Sequence, residues 1–254
     1  MGELLREWRE RRRLSQLELA IQADISTRHL SLVETGRSVP SRTMVLHLAE
    51  RLDVPLRERN DLLLAAGYAP VYRETALDSP RLAPVRAALR QVLKGHEPYP
   101  ALVVDRSWHL VDANAAVGPL LAGAAPELLE PPVNVLRLSL HPDGLAPRIA
   151  NLGEWRAHLL SRLSRQAAVT ADPELTKLSE ELRSYPGGVA ELTDGSDIVV
   201  PLRLRLGTRE LSLLSTVTTF GTPLDVTVAE LAIESFFPAD AGTADALREA
   251  AVPA

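Results

Sequence analysis

The apolar period changes once along this 254-residue chain, and that change constrains the fold more than any other feature. Up to about residue 70, apolar side chains recur three or four residues apart, the spacing of helices with one buried face. Beyond about residue 100, several runs alternate one by one, as half-buried strands do. The two patterns predict two domains: an all-α domain over 1–70, a linker at 71–79, and an α+β domain over 80–254. The linker follows Pro70, loses all periodicity and carries the polar tract RETALDSP.

Five short helices are expected in the first domain. Leu4, Leu5 and Trp8 mark the buried side of the first, with Arg6, Arg9 and Arg13 on its solvated side. Ser15 followed three residues later by Glu18 is a capping-box pattern and starts a helix at about 16–23. Ser26 caps a third at about 27–35, closed by Gly36. Ser41 caps a fourth at about 42–52, and a fifth runs from 56 to 65, after Pro55 and before Gly67.

The second domain opens with an amphipathic helix at about 81–94, through Leu82, Val85, Leu89 and Val92. ALVVD (101–105) and WHLVDA (108–113) read as a hairpin turning at Arg106-Ser107. A small helix is expected from Asn114, with longer ones at about 152–169 and 174–184. The alternating period returns at 197–206, 209–220 and 224–237, before a terminal helix near 243–250. Five antiparallel strands with helices inserted after the second resemble the PAS-type sensor layout, a sheet closed on one face by helices.

Composition narrows the function classes. The net charge of −5 argues against nucleic acid only as an average. Residues 1–51 carry nine Arg and Lys against seven acids, whereas 76–254 carry sixteen against twenty-two. A local basic face suffices for phosphates, so the first domain keeps that partner open. The absence of cysteine removes disulfides, thiolate metal sites and cysteine nucleophiles. The N-terminal MGELLREWRERRR has no apolar secretory core, and no run approaches the length of a membrane span. A soluble, cytoplasmic protein with no membrane partner is expected.

Residues 15–37, SQLELAIQADISTRHLSLVETGR, fit a helix-turn-helix. Two short helices packed near right angles need a small residue at their contact, and Ala20 supplies it. Leu17, Ile25, Leu30 and Val33 fit the shared core. Thr27, Arg28, Ser31 and Leu32 would project from the second helix toward a major groove. These residues, with the arginine-rich first helix and AERLDV, resemble the Cro/C1-type, or XRE, family of DNA-binding domains.

By that resemblance Gln16 bonds a phosphate, while Ser26, Thr27 and Arg28 lie at the reading end. Leu32 meets a thymine methyl, and Arg37, Ser38 and Arg42 follow the DNA backbone. The resemblance also pairs Glu34 with Arg9. It places Asp24 where the family usually has a left-handed glycine, a conformation Asp tolerates at a cost of roughly 1 kcal/mol. Taken singly, Arg28 also fits a solvated surface arginine, and Leu32 fits simple partial burial.

YPALVVDRSWHLVDANAA, NVLRLSLHPDGLAPRIANLGEWRAHLLSRL and TTFGTPLDVTVAELAIESFFPAD resemble regulators with a MmyB-like ligand-binding domain. The resemblance implies a PAS-like domain holding a fatty acid or similar small apolar molecule, with no other cofactor. A cavity between sheet and helices could be walled by Val104, Leu110, Leu120, Leu121, Leu136, Leu140, Trp155, Leu159, Leu163 and Phe220, each of which also fits ordinary core. Arg156, His158 and Arg162 share the helical segment of Trp155; of these Arg156 is the candidate carboxylate anchor, because its fork matches a carboxylate, although a surface salt bridge fits it better.

No metal-ligand spacing joins the six histidines, and no nucleophile elbow or phosphate loop occurs, so neither metal nor enzyme is expected. The reading is a ligand-responsive transcription regulator, binding double-stranded DNA as a homodimer, with helix 81–94 as lever. The alternative is a lipid or metabolite binding protein whose helical domain contacts protein.

Overall fold

The computed structural model describes residues 1–188 and 199–251. It divides into two compact units, the first comprising Met1–Thr75 with Ala168–Ala171 and Pro223–Ala229, the second the remainder. Asp197 and Ile198, the start of the strand expected at 197–206, lie outside the described residues.

The first unit is the five-helix domain: α1 Gly2–Arg11, α2 Gln16–Gln22, α3 Thr27–Glu34, α4 Arg42–Arg51 and α5 Leu56–Ala65. Serines start three of them. The Glu18 amide donates to Ser15 Oγ at 3.2 Å while the Ser15 amide donates to Glu18 Oε2 at 2.7 Å, closing the capping box. Ser26 and Ser41 accept from the amides of His29 and Met44. Asp24 takes φ 51°, the left-handed turn between α2 and α3. At Gly2 a Cβ would fall 2.4 Å from the Glu34 carbonyl oxygen, so α1 meets the end of α3 at glycine distance.

The core of this unit gathers Leu5, Trp8, Leu19, Ala20, Leu30, Val33, Leu48 and Leu62. Leu17 is not among them. It is 58% exposed, as Ile21 is at 69%. With Ala20 at the contact, Leu19 and Ala23 complete the inward face, and the 17/21 pair is turned outward. The stretch read as one strand over 224–237 also divides. Asp225 accepts from the Thr227 amide at 3.0 Å and starts a turn of helix, Val226–Ala229. Its other oxygen accepts from Thr75 Oγ1 at 2.6 Å, and the Val226 amide donates to the Arg73 carbonyl at 2.7 Å.

The second unit contains α6 Ala83–His96, β1 Ala101–Val104, β2 Leu110–Ala113, α7 Val135–Leu140, α8 Leu152–Thr170 as far as Ala167, α9 Pro173–Ser184, β3 Leu202–Leu206 and β4 Arg209–Thr219. After the short α10, Val226–Ala229, β5 Ala232–Pro238 and α11 Ala241–Ala250 complete the chain. The five strands form one sheet in the order β2-β1-β5-β4-β3, every neighbouring pair antiparallel. The helix expected from Asn114 is a 3-10 segment, Ala115–Leu121, with Pro119 inside it. The Asn114 side chain accepts from the Ala101 amide, a bond that ties this segment to the start of β1.

Alternation sorts the sheet into two faces. Val104, Leu202, Leu204, Leu211, Leu213 and Phe236 face a large core shared with Leu136, Trp155, Leu159 and Leu163. Ala101, Val103 and Ile233 face the other way, onto Leu89 and Leu93 of α6. Helices therefore cover both faces, not one. Leu93 takes the buried position expected for Val92, which is exposed.

Candidate DNA interface and ligand cavity

The start of α3 stands clear of the helical core. Ser26 and Arg28 are exposed, while Thr27, Ser31 and Leu32 are half-buried. Arg37 is exposed and Ser38 half-buried in the loop that follows, and Arg42 is exposed at the start of α4. The side chains of Arg28, Arg37 and Arg42 have neither ion pair nor hydrogen bond among the described residues. Elsewhere Arg57 pairs with Glu74, Arg137 with Glu181 and Arg203 with Glu210. Three unneutralised guanidiniums on α3, its following loop and the start of α4 make the charge available to an anionic partner.

Behind this surface lies a buried ion pair. Arg9 Nε and Nη2 donate to the two oxygens of Glu34 at 2.7 and 3.0 Å, and Gln16 Nε2 donates to Glu34 Oε2 at 2.8 Å. The Glu34 hydrogen bonds raise the Arg9 pKa above its ordinary value, outweighing burial. Gln16, the expected phosphate ligand, thus carries one amide hydrogen bond inside the domain, and its side chain is fixed beside the start of α2.

In the second unit a cavity of about 80 Å³ lies between the sheet and α7 and α8. Six of the expected wall residues line it: Leu110, Leu120, Leu121, Leu136, Trp155 and Leu159. Val104, Leu140 and Leu163 are fully packed core beside it. Phe220 packs on the α6 side of the sheet instead, because it lies one position past the end of β4. A second cavity, about 500 Å³, opens between the 3-10 segment, β3, β4 and α11; Leu120 stands in the wall of both.

Arg156 does not line either cavity. It is 1% exposed, and its guanidinium donates to the carbonyls of Tyr185, Pro186 and Gly188 at 2.9, 2.5 and 3.0 Å. Those carbonyls follow the C-terminus of α9, where a cation is favoured by the helix dipole. The arginine of α8 that reaches the sheet is Arg162, whose Nη1 donates to Glu234 Oε1 at 2.7 Å. Its guanidinium carbon lies 4.5 Å from the Trp108 ring centroid.

Glu234 and Ser139 are the polar side chains in the wall of the smaller cavity. Sequence reasoning passed over both, although Glu234 sits at an inward position of AIESFFP, where alternation calls for an apolar residue. Ser139 Oγ accepts from Trp155 Nε1 at 3.1 Å. His158 stacks on Trp155, and burial, then Arg162 and Arg165, lower its pKa. Among the described residues no cluster of three metal-ligating side chains occurs, and no helix is long and apolar enough to cross a membrane.

Residues 1–62 match a family model described as a helix-turn-helix domain. Residues 85–250, more than half of the chain, match the model of the MmyB-like transcription regulator ligand binding domain. No individual curated protein matches the chain. An N-terminal helix-turn-helix domain joined to this sheet-and-cavity domain makes the chain a member of the MmyB-like family of ligand-responsive transcription regulators.

Proposed function

We propose that the protein reads a specific duplex sequence with α3 and that a small apolar molecule in the sheet domain modulates this binding. The carrying observation is the unpaired set Arg28, Arg37 and Arg42 around the start of α3. Phosphate contacts by Gln16, Ser38, Arg37 and Arg42 set the register. Ser26, Thr27, Arg28, Ser31 and Leu32 face the base edges. The protein acts in the cytoplasm as a homodimer on half-sites about one helical turn apart. A fatty acid is one apolar ligand to consider; a chain too long for the smaller cavity would have to displace Leu120 to reach the larger one.

Chain connectivity offers a route for the response besides α6. Pro223–Ala229 belongs to the helical unit, and three residues later β5 begins, carrying Glu234 and Phe236 of the cavity wall. A ligand shifts the DNA affinity only by its differential affinity for two arrangements of this route.

Site selection from random duplexes with the intact chain tests the reading. A defined half-site should emerge, with binding that weakens steeply as salt rises. Arg28→Ala should weaken the selected site by about 1–3 kcal/mol and relax one base preference. Equal weakening on every sequence would confine Arg28 to phosphate. The exposed pair Leu17 and Ile21 on α2 favours a second reading, a binding protein whose helical unit docks on protein. Salt-independent or undetectable DNA binding would select that one.

A further inference from the structure

The arginines of α1 and of the turn after it do not all find partners. Arg6 and Arg11 pair with Glu10 and Glu7, each one helical turn away. Arg9 holds Glu34, and Arg12 donates to the carbonyls of Leu52 and Asp53. Arg13 is exposed, and its side chain has neither ion pair nor hydrogen bond among the described residues. Its backbone takes φ 56°, a left-handed conformation that glycine, Asn or Asp adopts more readily than arginine. The fold thus keeps an arginine in a strained turn where its guanidinium makes no polar contact within the helical unit.

The position of that turn indicates what the charge can meet. Arg9 Nη1 donates to the Leu14 carbonyl at 2.8 Å while Nε and Nη2 hold Glu34. One guanidinium therefore spans from the residue after Arg13 to the last residue of α3. Gln16, the expected phosphate ligand, reaches the same carboxylate from α2. The turn that carries Arg13 and the loop that carries Arg37 are thus joined through one buried hub, and both arginines are exposed and unpaired. A phosphate would supply the acceptor oxygens that the helical unit does not offer Arg13.

We propose that Arg13 is a phosphate anchor, extending the contact of Arg37 with the DNA backbone to the turn before α2. This rests on the DNA-binding reading and adds to it a sequence-independent contact that the resemblance does not assign.

The test is a salt titration of the intact chain by fluorescence anisotropy, on the selected duplex and on an unrelated one, with amide hydrogen exchange in parallel. Arg13→Gly and Arg13→Asn should each weaken binding about tenfold, by the same factor on both duplexes. Each should also reduce the slope of log affinity against log salt by about 1. Arg13→Gly should at the same time slow exchange in α1 and α2 severalfold, because glycine relaxes the left-handed position. Arg13→Lys keeps the charge and should keep the slope. Arg51→Ala controls for bulk charge. Arg51 is exposed at the far end of α4 from Arg42, roughly 13 Å along the helix and past a screening length of about 8 Å, so the slope should stay as in the wild type. An unchanged slope in Arg13→Gly and Arg13→Asn, with the wild type still binding, would overturn the anchor and leave the DNA reading standing. A loss shared by Arg13→Lys would trace the effect to the fold, and one shared by Arg51→Ala to net charge; either overturns the anchor. No salt-dependent binding by the wild type would overturn the DNA reading itself, and the anchor with it.

Discussion

Replacing Glu34 with alanine should lower the stability of the helical unit by about 3–5 kcal/mol, the range for breaking a buried ion pair from one side. The Glu34 side chain is 1% exposed and that of Arg9 is 9% exposed. Deletion of the carboxylate leaves the Arg9 guanidinium with its Nη1 bond to the Leu14 carbonyl and the Glu10 carboxylate 3.7 Å from Nη2, and leaves the Gln16 amide without its acceptor. A loss of this size is a large part of the 5–15 kcal/mol typical of a domain. Because the chain has two units, the readout should be local: amide hydrogen exchange of α1 and α3 in the intact protein. Protection there should collapse toward the global limit of a destabilised unit, while amides of the sheet exchange as before. Unchanged protection in α1 and α3 would mean that the pair contributes little. Joint replacement by Arg9→Met and Glu34→Leu should recover much of the loss, because no charge is then left buried alone.

Arg162→Ala carries the second large expectation, about 3–5 kcal/mol lost from the sheet domain. Glu234, 5% exposed, then loses the one side-chain donor to its Oε1. Removing the stacking over Trp108 adds roughly 0.5–2 kcal/mol of further loss. Urea unfolding followed by tryptophan fluorescence should show the transition move to lower denaturant. The paired change Arg162→Met with Glu234→Leu should restore most of the stability, because no charge is then left buried alone. A single variant as stable as the wild type would show that solvent reaches Glu234 readily and that the pair contributes little.

The helical unit was legible because its signals are local. Serines before apolar runs mark three helix starts, and each accepts the hydrogen bond that its position implies. Asp24 at the tight turn and Gly36 after α3 carry the positive φ that ends a helix sharply. Leu17 was misplaced because a seven-residue helix defines its inward face by little more than one turn, so a one-position error turns a core residue outward.

The sheet domain was legible as an alternation, less so as a site. α7 spans six residues, Val135–Leu140, too short for a helical period to declare itself. Asp225 breaks the apparent strand at 224–237 through hydrogen bonds to Thr227, two residues on, and to Thr75, far away in sequence; no local pattern encodes the second. The choice of Arg156 over Arg162 was a matter of helical phase. Trp155, Leu159 and Arg162 stand at i, i+4 and i+7 and share one stripe of α8, whereas Arg156 is a quarter-turn away. Reading that stripe against the acid in AIESFFP would have paired Arg162 with Glu234 before any coordinates.

If the sheet domain governs the helical one, filling the cavity should change how tightly α3 holds DNA. Fluorescence anisotropy of the selected duplex, titrated with intact protein at fixed salt, measures this directly with and without saturating hexan-1-ol. The expected result is a shift in apparent Kd of about 5–150-fold, matched by an equal shift in the affinity for hexan-1-ol when DNA is present, as linkage requires. An alcohol that demonstrably occupies the cavity yet leaves the DNA affinity unchanged would contradict the claim.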